Sequence, residues 1–401
     1  MPELPGEITG IITALLNRLQ APANHGITVE TALSYLSSAR RGLTENEILE
    51  ILYSDPEYQK WLKGVATRTG HKLPKSPKRI PVAIWSRLRY DLAPYLTEHS
   101  APGGPVLNFY HRQFGDCVRN LFLDSERKIK AWQGRLADYF DRQNVNLRQA
   151  DELPYLLRQL DEQNRLRDCL LNIDRFLLME QTSELELRGY WLWLEEERVM
   201  GQAYLKSFED WAKRPGRRET EISYSANVLA LFLHDSALYK EAEPLFRRAL
   251  AIDEKSFGRD HPTVATDLNN LASLLYETNR HQEAEPLLRR AVEILLEFTR
   301  TTGHPHPNLQ AVVENYASLL QALGHSPDEM RRNVIELGRR YGVNLSDAIA
   351  HVASAPPPKL RAVIEEMMRD QSKIPEIIAR LEQEDPALLL ELIKWIKSRQ
   401  S

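Results

Sequence analysis

At 401 residues the chain holds roughly two to four folded units by ordinary domain size. Hydrophobic residues at 42% and charged residues at 27% give ample material for buried cores and exclude a disordered or low-complexity chain. A formal net charge of -4 exerts no global pull toward nucleic acid or anionic membrane, and two cysteines, Cys117 and Cys169, exclude a disulfide scaffold and fit a reducing, cytoplasmic home.

The chain opens on an acidic stretch without the basic segment of a signal peptide, and no apolar run approaches the ~20 residues that span a bilayer. Apolar residues at helical spacing predict helices over Glu7–Leu19 and Val29–Ser38. Thr44 followed by Glu47 is a capping box, which opens a helix over Glu45–Tyr53. A basic loop follows, with Lys72, Lys75, Lys78 and Arg79 among prolines, and then a helix over Val82–Tyr95. Leu96–His99 and Val106–Tyr110 flank Pro102-Gly103-Gly104-Pro105 and read as one hairpin. Helices return over His111–Leu123 and Ser125–Arg142. Helices closed by a hairpin and a further helix make residues 1–145 a winged-helix-like module.

Residues 150–215 read as a helical spacer, with Leu153–Leu160 and Leu166–Leu178 as an antiparallel pair. Tyr190, Trp191, Trp193, Tyr204, Phe208 and Trp211 read as a packed core in preference to an aromatic ligand cage. Arg214–Arg218 is the expected joint before residues 220–325, where the chain repeats itself. Glu241-Ala242-Glu243-Pro244-Leu245 returns as Glu283-Ala284-Glu285-Pro286-Leu287, 42 residues on. Asn270-Leu271-Ala272-Ser273 returns as Asn315-Tyr316-Ala317-Ser318, 45 residues on, with the extra residues near His304-Pro305-His306-Pro307. A fixed period of this size predicts stacked helical hairpins, with Ala230, Ala242, Ala249 and their repeats where helices approach closely. Residues 327–401 read as further helices. The apolar stripe of Pro386–Lys397 is expected to cover the open end of the stack.

The repeats resemble the tetratricopeptide family, in the 42-residue form found in kinesin light chains, through Tyr239–Leu245, Gly258–Pro262 and Asn269–Ala272. The third unit departs from the pattern: its linker is stretched and no Glu-Ala-Glu follows Gly324. A second resemblance covers residues 1–210. Leu4–Ile8, Ala39–Ile48, Phe109-Tyr110-His111 and Leu153–Leu157 are similar to the segment after the nucleotide-binding core of STAND signalling ATPases, the nephrocystin-3-like and NACHT–tetratricopeptide group. The resemblance implies the regulatory half of a switch, with the core that would precede Met1 not in this chain. No Gly-x-x-x-x-Gly-Lys-Ser/Thr occurs to cradle a triphosphate. The fold class is therefore mainly α: a winged-helix-like module, a helical spacer and a short tetratricopeptide solenoid with C-terminal capping helices.

In the tetratricopeptide family the ligand lies along the first helix of each hairpin. Mapping that pattern puts Tyr224, Asn227, Thr266, Asn269, Asn270, Ser273, Asn315 and Ser318 on or near the binding surface. An asparagine amide donates to and accepts from a peptide backbone, which suits extended-peptide recognition. The bland alternative is that Asn270 and Asn315 tie adjacent helices together. Few Lys or Arg fall at those positions, which argues against a clamp for a terminal carboxylate, and Arg247-Arg248 and Arg289-Arg290 read as solvated outer face. His304 and His306 read as linker before metal ligands, His111 as part of its domain's hydrogen-bonding core, and the cysteines have no catalytic partners. No constellation supports an enzyme or a cofactor.

The function expected is protein–protein interaction: a sensor or scaffold binding a protein or peptide, with a separately encoded ATPase as a second partner. The rival is a DNA-binding regulator using the winged helix and the basic loop, which a solvated loop explains as well.

Overall fold

A computed structural model describes residues 8–69, 79–349, 358–369 and 373–397. The chain forms two units, Met1–Trp211 and Ala212–Ser401.

In the first unit α1 (Ile8–Gln20), α2 (Thr28–Ser38), α3 (Glu45–Ser54), α4 (Pro56–Thr69) and α5 (Val82–Asp91) precede a hairpin of β1 (Leu96–Ala101) and β2 (Gly104–Phe109). Both hydrogen bonds of the predicted capping box form: Thr44 Oγ1 accepts from the Glu47 amide at 3.1 Å and Glu47 Oε2 from the Thr44 amide at 2.7 Å. Asp55 then ends α3 and starts α4, accepting from the Tyr58 amide at 2.8 Å while Pro56 takes the first helical position. This helix lies between the one expected over Glu45–Tyr53 and the basic loop, with no bounds of its own expected from the sequence. Lys72, Lys75 and Lys78 lie outside the described residues, and Arg79 donates to Asn46 Oδ1 at 3.2 Å. The helix expected to reach Tyr95 stops at Asp91, because Pro94 forces a separate short turn over Ala93–Tyr95.

The hairpin runs antiparallel from Leu96 opposite Phe109 to Ala101 opposite Gly104. A third segment joins it: Leu43 and Leu107 exchange backbone hydrogen bonds of 3.1 and 2.8 Å. Gly42 makes this approach possible at φ +114°, since a Cβ there would stand 2.0 Å from the Leu107 carbonyl oxygen.

Then come α6 (Arg112–Phe122), α7 (Glu126–Asp141), α8 (Leu147–Gln159), α9 (Gln163–Leu170), α10 (Ile173–Leu194) and α11 (Glu197–Ala212). The expected helix over Leu166–Leu178 is two helices. Asn172 stops the first and caps the second, accepting from the Arg175 amide at 3.1 Å. The aromatic cluster is core. Tyr204 sits between Phe176 and Trp191 at 5.1 and 5.5 Å, accepts from Trp191 Nε1 and donates to the Leu170 carbonyl. Cys117 and Cys169 are both buried and unbridged.

Far-apart segments of this unit are stitched by charge. Arg148, 6% exposed, donates to Glu47 Oε1 at 3.0 Å, to Glu152 Oε1 at 3.2 Å and to the Gly42 carbonyl at 2.9 Å. Glu152, fully buried, also accepts from the Arg40 and Arg41 amides. The Arg40–Thr44 segment is thereby fastened to α8.

In the second unit α12 (Glu219–Asp235) pairs with α13 (Tyr239–Phe257), α14 (Pro262–Glu277) with α15 (His281–Thr302), and α16 (Leu309–Ala322) with α17 (Pro327–Arg340). The repeating alanines do what their spacing implied: Ala230, Ala242, Ala249, Ala272, Ala284, Ala291 and Ala317 are all at 0% exposure. Each hairpin turns through one left-handed residue at equivalent positions, Ala237 (φ +58°), Asn279 (φ +60°) and Gly324 (φ +92°). The third hairpin closes regularly despite its divergent sequence, because Ser326 and Glu329 form a capping box and Met330, Val334 and Leu337 are buried on α17.

α18 (Pro358–Arg369), α19 (Ile374–Glu384) and α20 (Pro386–Lys397) build a small core of Leu360, Val363, Ile377, Leu381 and Leu392. Leu389 and Leu392, expected to face the open end of the stack, pack into this core. Among the described residues no helix is long and apolar enough to cross a membrane.

Candidate protein-interaction site

α12, α14 and α16 are the first helices of the three hairpins, and the repeat offsets align their exposed positions. Tyr224 corresponds to Thr266 and Ala311, Asn227 to Asn269 and Glu314, Val228 to Asn270 and Asn315, and Leu231 to Ser273 and Ser318. Each of these residues is partly or fully exposed, so the predicted positions share one face.

On that face the asparagines form a ladder. Asn270 Nδ2 donates to Asn227 Oδ1 at 3.1 Å, and Asn315 Nδ2 donates to Asn269 Oδ1 at 2.9 Å. Each rung thus joins an amide of one repeat to the amide one position further along the next. The structure brings together Asn227 with Asn270 and Asn269 with Asn315, and in doing so uses them to tie first helices side by side. Carboxamide capacity beyond these single bonds remains, since each amide has two donor hydrogens and two acceptor lone pairs. Ser273 returns its hydroxyl to the Asn269 carbonyl at 2.9 Å, and Thr266 to the Pro262 carbonyl at 3.5 Å.

Tyr224 is 61% exposed, and Leu231, two turns further along α12, is 40% exposed. Leu231 escaped the sequence reading. Its repeat equivalents Ser273 and Ser318 were recognised, and carrying that alignment back one repeat would have found it.

Beneath the ladder lies a second feature the sequence did not disclose. Asn227 Nδ2 also donates to Asp267 Oδ1, and Asp267 meets Asp253 of α13. Both carboxyls are buried, at 1% and 5% exposure. Burial, then the charge of Asp253 and the hydrogen bond to it, push Asp267 up to about 8, against the opposing hydrogen bond from Asn227. Asp267 therefore keeps its proton to higher pH than an ordinary carboxyl does. The signal for Asp267 was its repeat position, which holds Ser225 in the first hairpin and Val312 in the third.

The other singled-out residues have structural surroundings. Arg290, on the second-helix side, bonds Glu254 and the Arg259 carbonyl across to the preceding hairpin, while Arg247 pairs with Glu243 in its own helix. His306 packs edge-on against Phe298 and accepts from the Asn308 amide at 3.1 Å. His111 departs from expectation. It is exposed, at the start of α6, with its ring against that of the exposed Tyr110 at 4.4 Å, and makes no side-chain cap. The apolar positions of α6 turn Phe114, Cys117 and Val118 inward, which leaves His111 outside the core.

Residues 219–297 match the family model described as tetratricopeptide repeat. Human nephrocystin-3 is 32% identical over 174 residues, covering 41% of this chain and 13% of that protein. Human NACHT domain- and WD repeat-containing protein 1 is 34% identical over 122 residues, 29% of this chain and 7% of that protein. The chain therefore spans a small fraction of the relatives it matches. A solved STAND protein with a tetratricopeptide repeat sensor from Pyrococcus horikoshii aligns over 98% of this chain and 55% of its own, at 12% identity and a TM-score of 0.30, too low to carry an argument. Residues 219–297 are thus tetratricopeptide repeats, and over part of its length the chain is similar to nephrocystin-3 and to NACHT-domain proteins.

Proposed function

We propose that this protein is an interaction module, a sensor or scaffold, that binds a protein or peptide segment along the face of α12, α14 and α16. Tetratricopeptide repeats are protein-interaction elements, so the coarse assignment follows from the family. The observation that carries the finer one is the pairing of a polar ladder with two exposed apolar side chains on one face. Large exposed apolar residues flanked by amides and hydroxyls suit a ligand that brings both a side chain and a backbone. Tyr224, Asn227, Thr266, Asn269, Asn270, Ser273, Asn315 and Ser318 belong to this face, with Leu231 added.

Replacing the asparagines with alanine is a poor test, because it would loosen the joint between hairpins as well as strip the face. A photo-crosslinking residue at Tyr224 or Ser318, compared with one at Arg247 on a second helix, separates the two. Partners joined through positions 224 and 318 and absent at 247 are the expected result. Crosslinks confined to 247 would refute the assignment.

A further inference from the structure

The charges of the hairpins are sorted by helix. α12, α14 and α16 contain no Lys or Arg at all, although together they supply the whole exposed face described above. The cations lie instead on second helices and connecting turns, where Arg247, Arg280 and Arg290 are engaged with Glu243 and Glu254. The first helices carry acids at or near their surface: Glu221, Glu277 and Glu314. Glu221 pairs with Arg217, but among the described residues no Lys or Arg pairs with Glu277 or Glu314. Glu277 faces His234 at 3.3 Å and takes a hydrogen bond from Tyr239, and Glu314 accepts from the Gln310 carboxamide. A whole-chain charge of -4 hides this segregation.

Resting on the assignment of this face as the binding site, we infer that its occupant is an internal, extended peptide segment carrying Lys or Arg beside an apolar residue. The apolar residue rests on Tyr224 and Leu231, the basic side chains meet Glu277 and Glu314, and the backbone meets the remaining amide valences of the ladder. Three alternatives are disfavoured by the same charges. A chain terminus that docks by its carboxylate needs a cation, and α12, α14 and α16 supply no Lys or Arg. An acidic peptide and a nucleic acid both bring negative charge to Glu277 and Glu314, which among the described residues have no Lys or Arg beside them.

The test uses the intact chain and a random peptide library displayed as an internal insert, so that no free terminus is offered. Enriched sequences rich in Lys and Arg and poor in Asp and Glu are expected. A synthetic copy with both ends blocked should bind less tightly as salt rises. Glu277→Lys and Glu314→Lys should each weaken it roughly threefold to tenfold, the scale of an exposed pair lost and reversed. The variant Tyr224→Thr with Leu231→Ser places at both positions the residues that the second repeat already carries there, so the hairpin keeps its pattern. It should weaken binding at least about tenfold. Neutral or acidic peptides that are still lost in that variant would overturn the basic partner while upholding the face. Basic peptides indifferent to the variant and to both charge reversals would overturn the face itself. Failure to enrich any sequence would overturn both.

Discussion

The Asp253–Asp267 pair makes the stability of the repeats depend on pH in a direction opposite to most carboxylates. Asp267 rises from an ordinary 3.8 to about 8 in the folded protein. The sign follows from proton binding. Below pH about 4 the folded and unfolded chains are both protonated at this site, and the stability is fully present. Between about 4 and about 8 the unfolded chain releases a proton that the folded chain keeps, so stability falls as pH rises, and the loss is complete above about 8. Each pH step across the window withdraws about 1.4 kcal/mol, so the loss between pH about 5 and about 9 is on the order of a few kcal/mol. Asp267→Asn removes the proton but keeps the geometry: its Oδ1 still accepts from Asn227, and its Nδ2 gives Asp253 a permanent donor. Thermal unfolding of the intact chain, followed by circular dichroism, should show wild type and variant close together at pH about 5. They should diverge by roughly 10 °C at pH about 9, in the transition that contains α13 and α14, taking about 2–4 °C per kcal/mol for a unit of this size. Hydrogen exchange localises the effect to those two helices. Wild type and variant moving in parallel across the whole range would refute the raised Asp267.

Two further outcomes follow from packing. Arg148→Met leaves Glu47 and the fully buried Glu152 without their cation, which should cost ~3–5 kcal/mol in urea unfolding of the first unit, and adding Glu152→Gln should recover part of it. Ala237→Gly should raise the stability of the first hairpin by up to ~1 kcal/mol. The position is left-handed at φ +58°, and its third-repeat equivalent is already Gly324, so a higher urea midpoint is the result to look for.

The parts of this fold that the sequence disclosed are those encoded within a few residues or by copying. The capping box at Thr44, the hairpin around Gly103-Gly104 and the hairpin repeats are of this kind. Boundaries failed where a cap sat inside a continuous apolar period. Asn172 interrupts Leu166–Leu178 without breaking its rhythm, and Asp55-Pro56 starts a helix that composition does not announce. The network around Arg148 was invisible for a different reason, since Glu47 and Gly42 lie more than a hundred residues away in the chain. At the candidate site the helix face was legible from the repeat alignment. Which asparagine meets which was not, because that depends on the sideways offset between neighbouring hairpins. The same offset hid the meeting of Asp253 and Asp267.

The two rungs of the ladder span 43 and 46 residues. The difference is three residues added within α15, which runs 22 residues against 19 in α13, and it vanishes before the next rung forms, since Asn315 finds Asn269 much as Asn270 finds Asn227. Register on the ladder is therefore kept by helix phase and not by chain length. The turn Gly303–Pro307 keeps the five-residue length of Gly258–Pro262, so the outer helix works as the expansion joint of the stack: α15 grows by nearly one turn while the face to either side keeps its alignment.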